Sequence, residues 1–157
     1  MREAIGGTWL FGLVLTFIVF FASFLAISIN YSIAFNVKNN IVDLVSKYEG
    51  NNNCARKQIS DYLEKVGYLV PGDCPKDDAF HYTGYGLDGR ETTGKAYYCI
   101  SNDTVDNPTV VLKKNYYRVV IFFKIDLPLV GNLTTFKIKG ETESIYYPNE
   151  KDNNLNC

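Results

Sequence analysis

The chain has 157 residues, of which 16 are Lys or Arg and 17 are Asp or Glu, and its formal net charge is −1. This length allows one modest soluble domain beside an anchor. The sequence contains neither a basic block nor an acidic tail, so it gives no electrostatic indication of nucleic-acid binding, and we expect no nucleic-acid partner.

The N-terminal part of the chain has no charged residue between Glu3 and Lys38. Residues 5–29 are almost wholly apolar, and about 20 apolar helical residues suffice to cross the hydrocarbon core. We therefore predict a transmembrane helix over residues 5–29, in contact with the lipid bilayer. A signal peptide cleaved near residues 32–34 is the main alternative, although its apolar region is usually ~7–15 residues long. A buried helix of a soluble protein would be shorter and apolar on one side only.

The apolar pattern narrows after the anchor without a break. Apolar side chains recur there at spacings of three and four, which is typical of one face of an amphipathic helix. The residues of this face are Ile29, Ile33, Val37, Ile41, Leu44, Val45 and Tyr48. No proline interrupts residues 1–70. We predict one continuous helix over residues 5–49, amphipathic over residues 30–49 and ended by Gly50.

A second, shorter helix is predicted over residues 55–66, where Ile59 and Leu63 share an apolar face and Gly67 follows the C-terminal end. Residues 71–95 are rich in Gly, Pro, Asp and Thr. These residue types favour turns, so we expect an irregular loop or a loose hairpin there.

The last third of the chain has the period-two alternation of half-buried strands. Apolar and charged residues alternate over residues 117–127 and again over residues 136–146. The connection between them, residues 128–133, contains Pro and Gly and predicts a turn.

Shorter strand candidates are residues 96–100 and 109–112, with a polar turn at residues 102–108 between them. Together the segments predict an antiparallel sheet of three or four strands. Its apolar face needs a cover, which the amphipathic half of the long helix can supply. The predicted fold class is α+β, with a long N-terminal helix packed on a small antiparallel sheet.

The four cysteines all follow the anchor, at Cys54, Cys74, Cys99 and Cys157. Four cysteines in a small head indicate an oxidising compartment. We therefore predict a short cytoplasmic N-terminus, residues 1–7, and an extracytoplasmic, disulfide-containing head, residues 50–157. Of the three possible pairings we favour Cys74–Cys99 with Cys54–Cys157. The first would close a loop of about 25 residues, and the second would attach the polar tail to the start of the short helix. A Cys54–Cys74 bridge around the short helix is the alternative.

A helix that is half membrane anchor and half spine for a sheet is the plan of pilins and pseudopilins. From Arg2 to Gly50 the chain has a short charged start, a Gly-Gly-Thr-Trp-Leu-Phe entry, an apolar run and a helical continuation. In these residues, and loosely in the terminal hairpin, it resembles TadE-like minor pilins over about half its length. The resemblance implies a pilin-like fold and a structural subunit of a surface pilus or secretion apparatus. Its implied partners are other pilin-like or membrane subunits, bound through the N-terminal helix.

One feature of those families is missing. They carry a glutamate a few residues into the apolar stretch, whereas residues 8–12 here are Thr-Trp-Leu-Phe-Gly. A prepilin-type cleavage after Gly7 stays open, and a minor or accessory subunit fits better than a major pilin. Small residues on one side of the anchor let helices approach closely in lipid. The candidates for such a helix contact are Thr8, Gly12, Thr16, Ala22 and Ala26.

No residue pattern of a catalytic site was found. His81 is the only histidine, and no C-x-x-C, G-x-S-x-G, H-E-x-x-H or P-loop pattern occurs. We expect no enzyme, no cofactor and no metal. Tyrosines occur in pairs at residues 97–98, 116–117 and 146–147, and an aromatic surface on the sheet could bind a glycan or a protein. A membrane-anchored binding or accessory protein is therefore the alternative function.

Overall fold

The computed structural model describes residues 2–76, 80–105, 114–127 and 131–146. Its first element, α1, is one continuous helix of 46 residues, Arg2–Lys47, with a length of ~69 Å. The prediction of a single long helix is confirmed. The helix ends two residues earlier than predicted because Glu49 and Gly50 have φ angles of 54° and 141°, which are incompatible with a right-handed helix.

The second helix, α2, is Asn53–Val66, close to the predicted range. The Asn52 side chain accepts a hydrogen bond from the Ala55 backbone N–H at 2.8 Å and so caps its first turn. Gly67 ends it in the left-handed conformation, with a φ of 69°.

The strands are β1 (Tyr82–Tyr85), β2 (Glu91–Thr92), β3 (Tyr98–Val105), β4 (Lys114–Leu127), β5 (Gly131–Glu141) and β6 (Ile145–Tyr146). They form one antiparallel sheet in the order β2-β1-β3-β4-β5, and β6 also pairs with β4. The fold class is therefore α+β, as predicted. The loose hairpin expected within residues 71–95 is formed by β1 and β2, and these short strands enlarge the sheet beyond the expected three or four.

The predicted boundaries of the middle strands were partly wrong. Residues 102–105 belong to β3, not to a polar turn, because the ladder with β4 continues from Tyr98↔Ile121 to Val105↔Lys114. Backbone hydrogen bonds to a long neighbour outweigh the polar composition of this segment. The candidate strand at residues 109–112 lies outside the described residues, as does the polar tail from residue 149 onward. Gly131, placed in the turn from sequence, already belongs to β5.

The main core lies between α1 and one face of the sheet. The buried helix residues are Ala34, Val37, Ile41 and Val45, and the facing residues of β4 are Tyr117, Val119, Ile121, Phe123 and Ile125. The amphipathic half of α1 thus covers the sheet, as predicted, but Ile29 and Ile33 of the predicted face are 59% and 42% exposed. The helix contacts the sheet instead from Ala34 onward, and Gly140 of β5 leaves room for the helix to approach. A Cβ atom at Gly140 would lie 2.7 Å from Lys38 Cδ.

A second, smaller core lies on the other face of β4, which was predicted to be only half-buried. It contains Ala96, Cys99, Val120 and Phe122. The segment after α2 covers it, and a Cβ atom at Gly72 would lie only 2.2 Å from Phe122 Cδ1. The disulfide Cys74–Cys99, with a Cα–Cα distance of 5.9 Å, ties this cover to β3.

Candidate functional site

The apolar part of α1 has the properties of a membrane segment. Among the described residues it is the one helix long and apolar enough to cross a bilayer, with a mean hydropathy of 2.7 in its most apolar window, none of which is buried. All residues from 7 to 22 are exposed. The segment therefore fits a membrane span or a signal sequence, and the disulfide in the head fits an oxidising compartment.

Three of the predicted small residues form the floor of an apolar groove on this segment. Thr8, Gly12 and Thr16 lie along the groove, and Trp9, Leu13, Phe17 and Phe20 complete its lining. A Cβ atom at Gly12 would meet nothing within 4 Å, so the groove is open at this position. Ala22 and Ala26 do not line it, and Ala26 is half-buried. The predicted strip is therefore divided, with a continuous part only at its N-terminal end.

Polar side chains in the segment satisfy their hydrogen bonds within the helix. Thr16 Oγ1 donates to the Gly12 carbonyl at 2.9 Å, and Ser23 Oγ donates to the Val19 carbonyl at the same distance. Asn30 Nδ2 donates to the Ala26 carbonyl at 2.9 Å. Because these groups already have partners, a neighbouring helix would be held there by close packing more than by hydrogen bonds between helices.

The groove lies on the same side of α1 as the sheet. Thr16 and Ala34 are separated by 18 residues, or about five helical turns, as are Gly12 and Asn30. Ala34 is buried against the sheet. A helix bound in the groove would therefore lie directly in line with the sheet of this molecule, further along the helix axis.

The cysteines are disulfide-bonded where the structure describes them. Cys74 pairs with Cys99, as predicted, and this excludes the alternative Cys54–Cys74 bridge. Cys54 also takes part in a disulfide. Its predicted partner, Cys157, lies outside the described residues.

A second candidate site is a polar cleft of about 420 Å³ between α2 and the β1–β2 turn. Its lining residues are Asn53, Arg56, Lys57, Ser60, Asp61, Glu64, Leu87, Asp88, Gly89 and Arg90. In and below it, Asn51 Oδ1, Ser60 Oγ and the Tyr98 hydroxyl are buried without a hydrogen-bond partner among the described residues. The charges of the lining balance, so the cleft has no strong preference for an anion or a cation.

Two charged side chains, Arg56 and Asp88, and the ring of Tyr85 lie near the buried Tyr98 hydroxyl. Tyr85 stacks on Tyr98 with ring centroids 5.3 Å apart, and it accepts a hydrogen bond from Asn51 Nδ2 at 2.7 Å. Burial, followed by Tyr85 and Asp88, raises the pKa of Tyr98, while nearby Arg56 lowers it. The arrangement holds a neutral phenol, and His81, the only histidine of the sequence, does not line the cleft.

Other sequence-derived candidates have ordinary surroundings. The described residues contain no group of three His, Cys, Asp or Glu side chains that could hold a metal ion. Tyr98 and Tyr117 are fully buried, and their neighbours Tyr97 and Tyr116 are half-buried. These two tyrosine pairs therefore do not form an exposed aromatic surface. The side chains of the third pair, residues 146–147, lie outside the described part.

Comparisons with known proteins leave the chain without a family. No protein-family model matches it, and neither the curated proteins nor the solved structures include a significant match. The pilin-like and TadE-like resemblance therefore remains a prediction from the residues of α1 and the terminal hairpin.

Proposed function

We propose that this protein is a structural subunit of a surface pilus or secretion apparatus, pilin-like and closest in plan to TadE-like minor pilins. It acts by assembly and not by catalysis. Residues 5–29 span the membrane once, with the N-terminus in the cytoplasm and the head outside. The observation that carries the proposal is the exposed apolar surface of residues 7–22, which contains an open groove over Gly12.

The continuity of α1 supports an uncleaved anchor. The helix runs without a break through residues 32–34, where a signal peptidase would cut. Ala34 is fully buried against the sheet, so cleavage there would cut through the helix–sheet contact. An uncleaved helix would make the protein a membrane-held subunit and not a secreted head.

The groove supports association in lipid. Lipid tails are as apolar as leucine, so helices gain no hydrophobic energy by associating in a bilayer and depend on close packing. An open position at Gly12, bordered by Trp9 and Leu13, offers that packing. The apolar stretch has no glutamate to set a register, which favours a contact with a different subunit over a regular polymer of this chain.

A membrane-anchored binding or accessory protein is the second candidate function. The polar cleft beside α2 favours it, because buried polar atoms without partners are costly unless water or a ligand satisfies them. Such a protein would act as a monomer or in a receptor-like complex.

Photo-crosslinking in native membranes tests the assembly proposal. The parent protein carries a photoreactive residue in place of Leu13, which lines the groove, and a second protein carries Gly12→Leu in addition. We expect crosslinked products from the parent protein and loss of most of them with Gly12→Leu, because the leucine fills the groove. The matched control is Gly7→Leu, since a Cβ atom at Gly7 also meets nothing within 4 Å. Gly7 lies about 140° around the helix from Gly12.

Formation of the Cys74–Cys99 disulfide is measured in each variant to confirm a folded head. If the parent protein forms no crosslinks at native expression levels, the assembly proposal is wrong and the monomeric binding protein replaces it. Equal losses with Gly7→Leu and Gly12→Leu would show that the groove is not the contact.

A further inference from the structure

The charge-free part of α1 is longer than a bilayer requires. No charge occurs from residue 4 to residue 37, and at ~1.5 Å per residue this stretch is ~51 Å long. The hydrocarbon core of a bilayer is ~30 Å thick. About 20 Å of charge-free helix therefore extends beyond the hydrocarbon core. This part must be covered by the head, or the head must lie at the membrane surface beside it.

The head covers only one side of this excess. Residues 7–22 are all exposed, Ser23 and Ala26 are half-buried, and Ala34 is the first fully buried residue. The two flanks beside the covered side stay apolar and exposed. Ile29 and Ile33 lie on one flank, with exposed fractions of 59% and 42%, and Tyr31 and Phe35 lie on the other, with 50% and 41%.

Aromatic rings join the flank with Tyr31 and Phe35 to the sheet. Tyr31 lies edge-on to Phe123 with ring centroids 6.1 Å apart, and Phe123 stacks on Phe136 at 5.3 Å. Tyr31 also contacts Phe35 at 6.3 Å. We call these four residues, Tyr31, Phe35, Phe123 and Phe136, the interfacial aromatic cluster. Phe136 is 41% exposed, so helix and sheet present one aromatic surface at the end of the head nearest the apolar segment.

The height of this cluster matches a membrane–water interface. Trp9 and Tyr31 are 22 residues apart, or ~33 Å along the helix, which is close to the thickness of the hydrocarbon core. Trp and Tyr are enriched at the two interfaces of a bilayer. When Trp9 lies at one interface, Tyr31 therefore lies at the other, together with the sheet residues it contacts.

Lysines lie at the same end of the head as the cluster. Lys38 Nζ lies 4.2 Å from the centre of the Phe35 ring. Lys124 and Lys137 are exposed and follow the paired residues Phe123 and Phe136 along β4 and β5, so they project from the opposite face of the sheet at the same level. We call Lys38, Lys124 and Lys137 the basic collar.

The described acidic side chain of β5 lies away from this collar. Glu141 is at the other end of the strand and pairs with Arg118, with 2.6 Å between Glu141 Oε1 and Arg118 Nε. The collar is therefore not neutralised by it.

We propose that the head docks on the bilayer surface, with the interfacial aromatic cluster in the interfacial layer and the basic collar on the phosphates of anionic lipids. This inference rests on α1 being a membrane anchor, as proposed above. The lipid surface is the occupant because the cluster continues directly from the apolar segment. Lysine stems can also lie along apolar surface while their ammonium groups reach lipid phosphates. Docking would hold the head beside the bilayer, with its orientation set before any subunit binds.

Quenching by lipids with brominated acyl chains tests the docking in the full-length protein in phosphatidylcholine vesicles. Trp9 is the only tryptophan, so Trp9→Phe gives a background without fluorescence from tryptophan. Phe136→Trp and Phe35→Trp then place single probes in the cluster. Tyr48→Trp is the control, because Tyr48 lies ~26 Å further along the helix than Tyr31.

We expect brominated lipid to quench both cluster probes to an extent approaching that of Trp9 in the parent protein, and to leave the Tyr48→Trp probe unquenched. If Trp9 itself is unquenched, the anchor proposal is wrong. If Trp9 is quenched while both cluster probes behave like the Tyr48→Trp control, the anchor stands and the docking inference is overturned.

A second comparison tests the basic collar. Adding phosphatidylglycerol to the vesicles should increase quenching of the Phe136→Trp probe, and Lys124→Glu with Lys137→Glu in the same chain should abolish the increase. Glutamates would repel the anionic surface, and both positions are exposed, so the head should fold normally. An increase that survives both substitutions would overturn the role of the collar.

Discussion

Two tyrosine hydroxyl groups in the head differ in their hydrogen bonding. The Tyr68 hydroxyl donates a hydrogen bond to the Phe122 carbonyl at 2.8 Å, whereas the Tyr98 hydroxyl is buried without a partner among the described residues. Burial raises the pKa of Tyr68 to about 12, and burial is also the largest cause of the raised pKa of Tyr98. Both residues therefore stay neutral in the folded head.

We predict opposite effects on stability when each hydroxyl is removed. Tyr68→Phe should lower the free energy of unfolding by about 1 kcal/mol, because the Phe122 carbonyl loses its partner. Tyr98→Phe should be neutral or stabilising, because it removes a buried polar group that is not hydrogen-bonded. Urea unfolding of the full chain in micelles, followed by circular dichroism, measures both. A loss with Tyr98→Phe as large as with Tyr68→Phe would mean that water or a ligand binds the Tyr98 hydroxyl.

The same phenols destabilise the head at alkaline pH. Above pH ~10 the unfolded chain ionises its tyrosines while the folded head keeps Tyr68 protonated. The unfolded state then binds fewer protons, so stability falls between pH 10 and about 12, the pKa of folded Tyr68. In the same unfolding measurement, Tyr68→Phe should make this fall less steep.

At the scale of elements, the segment after α2 is held between the residues before β3 and the Phe122 ring of β4. Gly72 and Ala96 exchange two backbone hydrogen bonds of 2.8 Å, and the ring of Phe122 lies over Gly72. A methyl group there would overlap the ring, and the two hydrogen bonds keep the backbone from moving away.

Gly72→Ala should therefore destabilise the head by at least about 1–3 kcal/mol, the usual cost of overpacking. Gly94→Ala is the matched control, because the nearest atom to its added Cβ would be Thr92 Oγ1 at 4.0 Å. The midpoint of urea unfolding should fall for the first variant and stay near the parent value for the second. Similar midpoints for the two variants would show that the Phe122 ring moves aside.

At the scale of the whole molecule, the disulfide and the apolar helix lie in different parts of the chain. Cys74–Cys99 is in the head, and the most apolar window of α1 has no buried residue. The disulfide fits a head in an oxidising compartment, and the apolar helix fits a membrane span or a signal sequence.

Protease treatment of intact cells or spheroplasts tests the proposed orientation. We expect digestion of the head, because the proposed orientation places it outside the cytoplasmic membrane, and survival of a short fragment containing the apolar part of α1. A cytoplasmic protein of the same cells must stay intact as the control for lysis. Complete protection of the head, together with four reduced thiols, would contradict the orientation.

Much of this architecture follows from local patterns in the sequence. The charge-free apolar stretch after Glu3, followed by apolar residues at spacings of three and four, indicates one long helix, and no proline interrupts it. Alternation over residues 117–127 determines a strand with one apolar face. Small residues at Thr8, Gly12 and Thr16 recur every fourth position, so their shared side of the helix is also readable from the sequence.

Tertiary structure decided which surfaces are covered. Ile29 and Ile33 fit the helical pattern as well as Val37 does, but the sheet approaches α1 through Ala34 and leaves those two exposed. Phe122 lies on the face of β4 opposite the main core, and the segment around Gly72 buries it. In the same way Tyr31 and Phe136, 105 positions apart, meet in one aromatic cluster through Phe123. Local periodicity determines the apolar face of each element, but long-range packing determines which partner, if any, covers that face.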